Sequence, residues 1–328
     1  MSESGKRKQA QRNSLTGVLF CSPWIVGFLL LFLWPFAASL YWSLCHFDLI
    51  NPPEFIGLEN YQTLLHEIRN GKGFGTALAN TTYYCLISVP LSVVLGIGLA
   101  VLLNLKLRGQ AVYRTLVFLP SVIPIVAASV LWVWLLDPAD GFVNYVLSWV
   151  GLGDQNWFNQ ARSAASSETL TMLSSWSSGS PLRLFGSKDA LILMTLWGVG
   201  NFMVIYLAAL TDVPVALYEA AEIDGASWWR RLIHVTLPML SPVIFFNLVV
   251  GLIRGVQTFT SVYVFSEGTG SPGDSLMMVS LKLFLSAFED LQMGYTSAIA
   301  WILFVIILMV TTALFRTSKY WVHYRVAA

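Results

Sequence analysis

A chain of 328 residues, 56% of them hydrophobic and only 11% charged, has too little polar surface to dissolve as an ordinary globular domain. Its net charge of +1 offers no basic excess for nucleic acid. The three cysteines, Cys21, Cys45 and Cys85, lie in or at the ends of apolar segments and suggest packing, neither a disulfide framework nor a metal site.

Read in order, the chain is an all-α polytopic membrane protein with six apolar spans. Residues 1–14 form a basic tail holding Lys6, Arg7, Lys8 and Arg12. The run from Leu15 to Leu44 is far longer than the apolar region of a signal peptide and lacks a small-residue cleavage site, so it reads as a retained first span, with Pro23 and Pro35 to break or kink it. A polar loop from Asn51 to Ala77 follows. Asn80 and Thr81 then open a second span that ends near Asn104, in which Gly96, Gly98 and Ala100 let neighbouring helices approach. After a short basic connection, a third span from about Val112 to Leu136 carries Pro120 and Pro124. It ends in Trp132, Trp134 and Asp137, an aromatic belt followed by a charge. The segment from Pro138 to Asp189 is polar, and serines crowd its middle; Leu170 to Trp176 is too short to cross a bilayer. The fourth span runs from about Ala190 to Leu210, the fifth from Met239 to Phe265 and the sixth from Tyr295 to Phe315, before a tail over 317–328.

Charge orients this arrangement. With both termini on one side, that side holds Lys6, Arg7, Lys8, Arg12, Lys106, Arg108, Arg114, Arg230, Arg231, Arg316, Lys319 and Arg325, twelve of the 19 basic residues. The longer loops opposite hold six, which predicts both termini and the loop over 212–238 in the cytoplasm.

That loop is a polar island between spans four and five. Leu217 to Ile223 forms a helix, Gly225 ends it in the left-handed region, Ser227 caps a short second helix, and Pro238 enters the first turn of the next span. On physics alone an amphipathic loop on the headgroups is equally good. The spacing of Glu219, Ala220, Ala221, Asp224, Gly225, Val235, Leu237 and Pro238 resembles the signature loop of permease subunits of binding-protein-dependent ABC importers, with Val235 where the family has isoleucine. Ile223-Asp224-Gly225-Ala226 and Thr236-Leu237-Pro238 are similar to the carbohydrate-uptake branch, of the maltose and glycerol-3-phosphate permease type. The Gly57-Leu58-Glu59-Asn60-Tyr61 loop, Asn80-Thr81, Arg114-Thr115 and Leu119-Pro120 extend the likeness from about residue 15 to 315. It implies a domain over 15–316 in which Glu219, Ala220, Ala221, Asp224, Gly225, Leu237 and Pro238 belong to a cytoplasmic coupling helix. The implied partners are ABC ATPase subunits, a second, non-identical permease, an extracytoplasmic solute-binding protein and the lipid bilayer. The implied place is the bacterial inner membrane. Against the family, residues 160–185 read as an outer-loop insertion.

The chain shows no phosphate-cradling glycine loop of its own, so the expectation is no cofactor here and ATP on a partner subunit. His46, His66, His234 and His323 are scattered, giving no catalytic or metal-ligating set. A membrane-embedded lipid-modifying enzyme would need clustered acids, and an autonomous ion-coupled transporter would need carboxylates inside its spans. No predicted span contains Asp or Glu. Polar residues within spans mark a substrate path, because they are costly unless they face water or one another. The candidates are Asn201 on the fourth span and Asn247, Arg254, Gln257, Phe259 and Tyr263 on the fifth. Arg254 departs from the small or neutral residue usual there, and two readings stay open: pairing or snorkelling, and contact with substrate hydroxyls or an anionic group.

Overall fold

A computed structural model describes residues 20–105, 108–149, 157 and 186–323. The 160–185 insertion and the tail over 1–14 lie outside the described residues. The helices are α1 (Phe20–Trp42), α2 (Glu59–Asn70), α3 (Phe74–Asn104), α4 (Gln110–Phe118), α5 (Ile125–Leu135), α6 (Phe142–Ser148), α7 (Ser187–Trp197) and α8 (Gly200–Thr211). They continue with α9 (Val215–Ile223), α10 (Trp228–Arg231), α11 (Leu237–Val256), α12 (Thr260–Phe265), α13 (Val279–Phe288) and α14 (Met293–Ser318). Strands β1 (Cys45–His46) and β2 (Glu54–Phe55) pair antiparallel, Cys45 opposite Phe55.

The described chain divides into two compact units. The first takes the chain up to Thr63 together with Ser286–Ile302. Its α1 has no buried residue in its apolar stretch, the pattern of a helix solvated by lipid. Asn60 and Tyr61 clamp the chain as it leaves α1: Asn60 Nδ2 donates to the Ser43 and Cys45 carbonyls at 3.0 Å each, and Tyr61 shares a 2.8 Å hydrogen bond with Ser43. In the loop between the strands, the Asp48 carboxylate is held below its usual pKa, chiefly by the Asn51 N–H at 2.8 Å and then by the Asn51 side chain.

The second unit, Leu64–Leu285 with the chain from Leu303, is built around α3. One core packs Val93, Ala100 and Leu103 against Met203, Tyr206, Leu210 and Leu240. The other surrounds Tyr84 and Cys85 with Trp132, Leu136, Leu191, Met194, Leu276 and Leu281. Close approach comes from glycines. A Cβ on Gly96 would sit 3.1 Å from Phe202, one on Gly251 3.0 Å from Val89, and one on Gly255 3.0 Å from Cys85. Gly251 and Gly255 are four residues apart on one face of α11, the small-xxx-small spacing that lets helix backbones meet in lipid. Gly98, also expected to serve this way, faces open space.

Four helices are long and apolar enough to cross a bilayer: Phe20–Trp42, Phe74–Asn104, Trp228–Val256 and Met293–Ser318. Two bent pairs raise the number to six if each is one span. The expected third span is not one rod: it breaks by 98° before Pro124, where Ile123 is extended, as a residue preceding proline tends to be. The fourth bends by 42° at Gly198–Val199. The fifth stops at Val256, short of Phe265, because a polar stretch follows and the Thr258 hydroxyl takes up the Arg254 carbonyl at 3.1 Å. The second span starts at Phe74, so Asn80 and Thr81 do not open it; both are buried inside it. Asn80 Nδ2 donates to the Asp274 and Met277 carbonyls, at 2.6 and 3.0 Å, and Thr81 Oγ1 accepts from the Val279 N–H at 3.0 Å. Those bonds anchor the glycine-rich segment that follows α12. Two π-helical turns, Leu29–Leu33 and Leu232–Thr236, lie just ahead of Pro35 and Pro238. A widened turn absorbs a ring that would collide with the preceding turn's carbonyl.

Replacing Gly251 or Gly255 by leucine is expected to cost about 1–3 kcal/mol through overpacking against α3. In detergent both variants should melt several degrees below the parent, while Gly98→Ala should match it.

Candidate functional site

Two features carry functional groups: an exposed helical hairpin at α9–α10 and a polar cleft beside α3. In the hairpin, α9 ends in a Schellman arrangement. Ala226 N–H reaches the Ala221 carbonyl at 2.8 Å, Gly225 N–H reaches Glu222 at 3.0 Å, and Gly225 has φ +74°. Nothing lies within 4 Å of a Cβ built on Gly225, so only backbone conformation demands glycine there. Asp224 N–H bonds the Ala220 carbonyl at 3.0 Å. Two polar contacts tie the arms: Arg231 to Glu222 at 2.7 Å and Tyr218 to Thr236 at 3.0 Å. Neither was evident in the sequence, because they join positions nine and eighteen residues apart across the turn.

Ser227 has an N-cap backbone, yet its side chain makes no capping bond. Nor is the second helix of the hairpin separate, as the sequence suggested. α10 runs through the π turn into α11 as one 29-residue helix, Trp228–Val256, with Leu237 and Pro238 half-buried within it. Around the turn the surface is apolar as well as charged: Ile223 is 87% exposed, and Val215, Trp229 and Ile233 are exposed too. Glu219 is exposed and makes no ion pair among the described residues. A patch of this kind marks a surface that meets a partner.

The cleft, about 550 Å³, lies within the second unit. Tyr84, Ser88 and Ser92 of α3 line it at four-residue spacing, and α11 supplies Asn247, Gly251 and Arg254. Asn201, Ser121, Thr195, Thr258 and Ser261 add to its polar lining. Tyr84 is bonded to Thr195 at 2.9 Å. By contrast, the buried Ser92 hydroxyl and both polar atoms of the Asn247 amide make no hydrogen bond. The Tyr206 hydroxyl, directed at Asn247, closes none either. No acid lines the cleft, and no group of three His, Cys, Asp or Glu side chains that could hold a metal occurs among the described residues.

Of the substrate-path candidates, Asn201, Asn247 and Arg254 meet at this cleft. Gln257, Phe259 and Tyr263 do not line it. Gln257 caps α11, and Phe259 and Tyr263 form an aromatic cluster with Phe284, at 5.0 and 5.7 Å between ring centroids. The row Tyr84, Ser88, Ser92 was missed, although hydroxyl groups repeating every four residues inside an apolar span are a readable sign.

Residues 92–327 match the binding-protein-dependent transport system inner membrane component, and the chain belongs to that family. It is therefore a membrane component of an ABC-type transport system. It is 38% identical over 322 residues to a probable ABC transporter permease protein, YesP, of Bacillus subtilis, covering 97% of this chain and 95% of the relative. The lactose transport system permease protein LacF of Rhizobium radiobacter is 32% identical, with 92% of each chain covered. A crystal structure of a bacterial alginate ABC transporter, bound to its alginate-loaded periplasmic protein, shares the fold, with a TM-score of 0.74 at 23% identity over 95% of this chain and 96% of that one.

Replacing Asn247 by leucine removes two unpaired buried polar atoms, so the assembled transporter should be at least as heat-stable as the parent. Substrate-stimulated ATP hydrolysis by that assembly should fall about tenfold, read by phosphate release alongside a melting curve.

Proposed function

We propose that this chain is one half of the translocation pathway of an importer for a sugar or related polyol, crossing the membrane six times with both termini in the cytoplasm. The bent pairs α4–α5 and α7–α8 are the third and fourth crossings. A solute-binding protein delivers the sugar to the outer face, a second, non-identical permease supplies the other half of the path, and ATP is bound and hydrolysed by separate subunits on the inner side. The sugar-transport names of relatives such as the lactose and arabinooligosaccharide permeases support the substrate class. The twelve basic residues gathered on one side support the orientation.

The observation that carries the mechanism is the unbroken helix from Trp228 to Val256. Its length of 29 residues corresponds to about 42 Å. One end adjoins the exposed hairpin turn and the other presents Asn247 and Arg254 to the cleft. A push on the hairpin by a closing ATPase therefore moves the cleft wall as a rigid body. Ala220 and Ala221 let the ATPase surface come close, Glu219 offers it an unpaired charge, Gly225 sets the turn, and the Glu222–Arg231 and Tyr218–Thr236 contacts keep the two arms from folding independently. Alternating access follows from tilting α11 against α3.

The test is copurification of the tagged chain from gently solubilised membranes. The parent should bring down an ATPase and a second permease. Gly225→Trp and Ala221→Trp should insert normally but lose the ATPase, with uptake falling to background. A chain that purifies alone, or variants that keep wild-type uptake, would overturn the coupling role.

A further inference from the structure

We infer that the cleft selects a sugar bearing a single carboxylate, which Arg254 holds by paired charge-assisted hydrogen bonds. This rests on the sugar-importer reading above and narrows it to acidic saccharides.

Arg254 is the one charged side chain among the described residues that line the cleft. It is exposed, and no carboxylate pairs with it among the described residues. A guanidinium facing a hydroxyl-lined cavity within a span is a standing positive field, and its fork of N–H donors matches the two oxygens of a carboxylate. Its position is fixed from behind. Gly255, the next residue, seats α11 against Cys85, and the Thr258 hydroxyl occupies the Arg254 carbonyl. Placement in the last turn of α11 adds a favourable interaction with the helix dipole, so the cation is tolerated there before any ligand arrives.

The rest of the cleft fits the remainder of such a ligand. Asn247 lies seven residues before Arg254, two turns along the same face and about 10 Å away along the axis. Its unpaired amide and the unpaired Ser92 hydroxyl suit neutral sugar hydroxyls as donor and acceptor. One cation balances one negative charge. A sugar phosphate, carrying nearly two charges, would leave charge uncompensated in a cleft whose described lining holds no second Lys or Arg. That singles out a uronate-type monoanion.

The experiment uses the complete transporter with its binding protein in proteoliposomes. The probes are galacturonate, glucuronate and mannuronate, and disaccharides that join one such uronate to a neutral sugar, each beside its methyl ester, and neutral saccharides of the same length. Uptake at saturating binding protein is compared for the parent, Arg254→Gln and Arg254→Lys, with assembly checked by size-exclusion and melting. The expected result is that at least one acid is taken up, that Arg254→Gln slows it about tenfold or more while changing neutral sugars less than twofold, and that Arg254→Lys recovers part of the loss. Equal slowing of acid and neutral probes, or no slowing, overturns the inference. Uptake of neutral sugars without any acid also overturns it and leaves the sugar-importer reading standing, whereas no saccharide uptake at all removes both. If Arg254→Gln fails to assemble, Arg254 is a subunit-pairing residue and the inference falls.

Discussion

Everything functional in the second unit depends on how closely α11 can lie against α3. Within a bilayer, helices gain little by hiding apolar side chains from one another, since lipid is equally apolar; association rests on contact area and backbone proximity. Gly251 and Gly255 provide that proximity by presenting no side chain to Val89 and Cys85, and Gly96 does the same for Phe202 and Tyr206 on the other side of α3. The three glycines bring α3, α8 and α11 together tightly enough that their polar side chains share one cleft rather than each facing lipid alone.

That convergence has a stability cost. Asn247 and the Ser92 hydroxyl line the cleft and are buried without hydrogen bonds, and each unsatisfied group of this kind costs about 1–3 kcal/mol. The cores around Tyr84 and Leu240 offset it. Polar groups aimed into a cleft and left unpaired are those a ligand's hydroxyls can use. Stiffness is divided in a complementary way: the long helix through α10 and α11 is continuous, while the breaks at Pro124 and Gly198 fall in the neighbouring elements. The Glu222–Arg231 pair is too exposed to stabilise the hairpin much, contributing at most about 1 kcal/mol. The Tyr218–Thr236 bond, with Thr236 buried, fixes the hairpin's angle more firmly.

Much of this was legible in the residues. The apolar runs announced the long helices, Gly225 announced the turn, and the order from Glu219 to Pro238 announced the family. Helix ends were less legible. Asn80 and Thr81 resemble a helix opening because both residues favour caps, yet their side chains reach backbone groups nearly two hundred residues away. Gln257, Phe259 and Tyr263 belong to the same polar stretch as Arg254, but the helix ends between them and sends the aromatic pair toward Phe284. Gly98 looked equivalent to Gly96; which of two such glycines meets a neighbour depends on helix rotation, which packing sets.

The sequence by itself determined the class of protein, the hydropathy of its long segments and the chemistry of its hairpin turn, because these follow from composition, spacing and local backbone preference. Only the tertiary structure decided that the second hairpin helix and the fifth span are one rod, that Asn201, Asn247 and Arg254 face a common cleft with the α3 hydroxyls, and that no acid among the described residues lines that cleft beside Arg254. Those are facts about which side chains approach one another across distant segments. In a membrane, where apolar faces pack almost interchangeably, that is settled by the few positions small enough for backbones to touch.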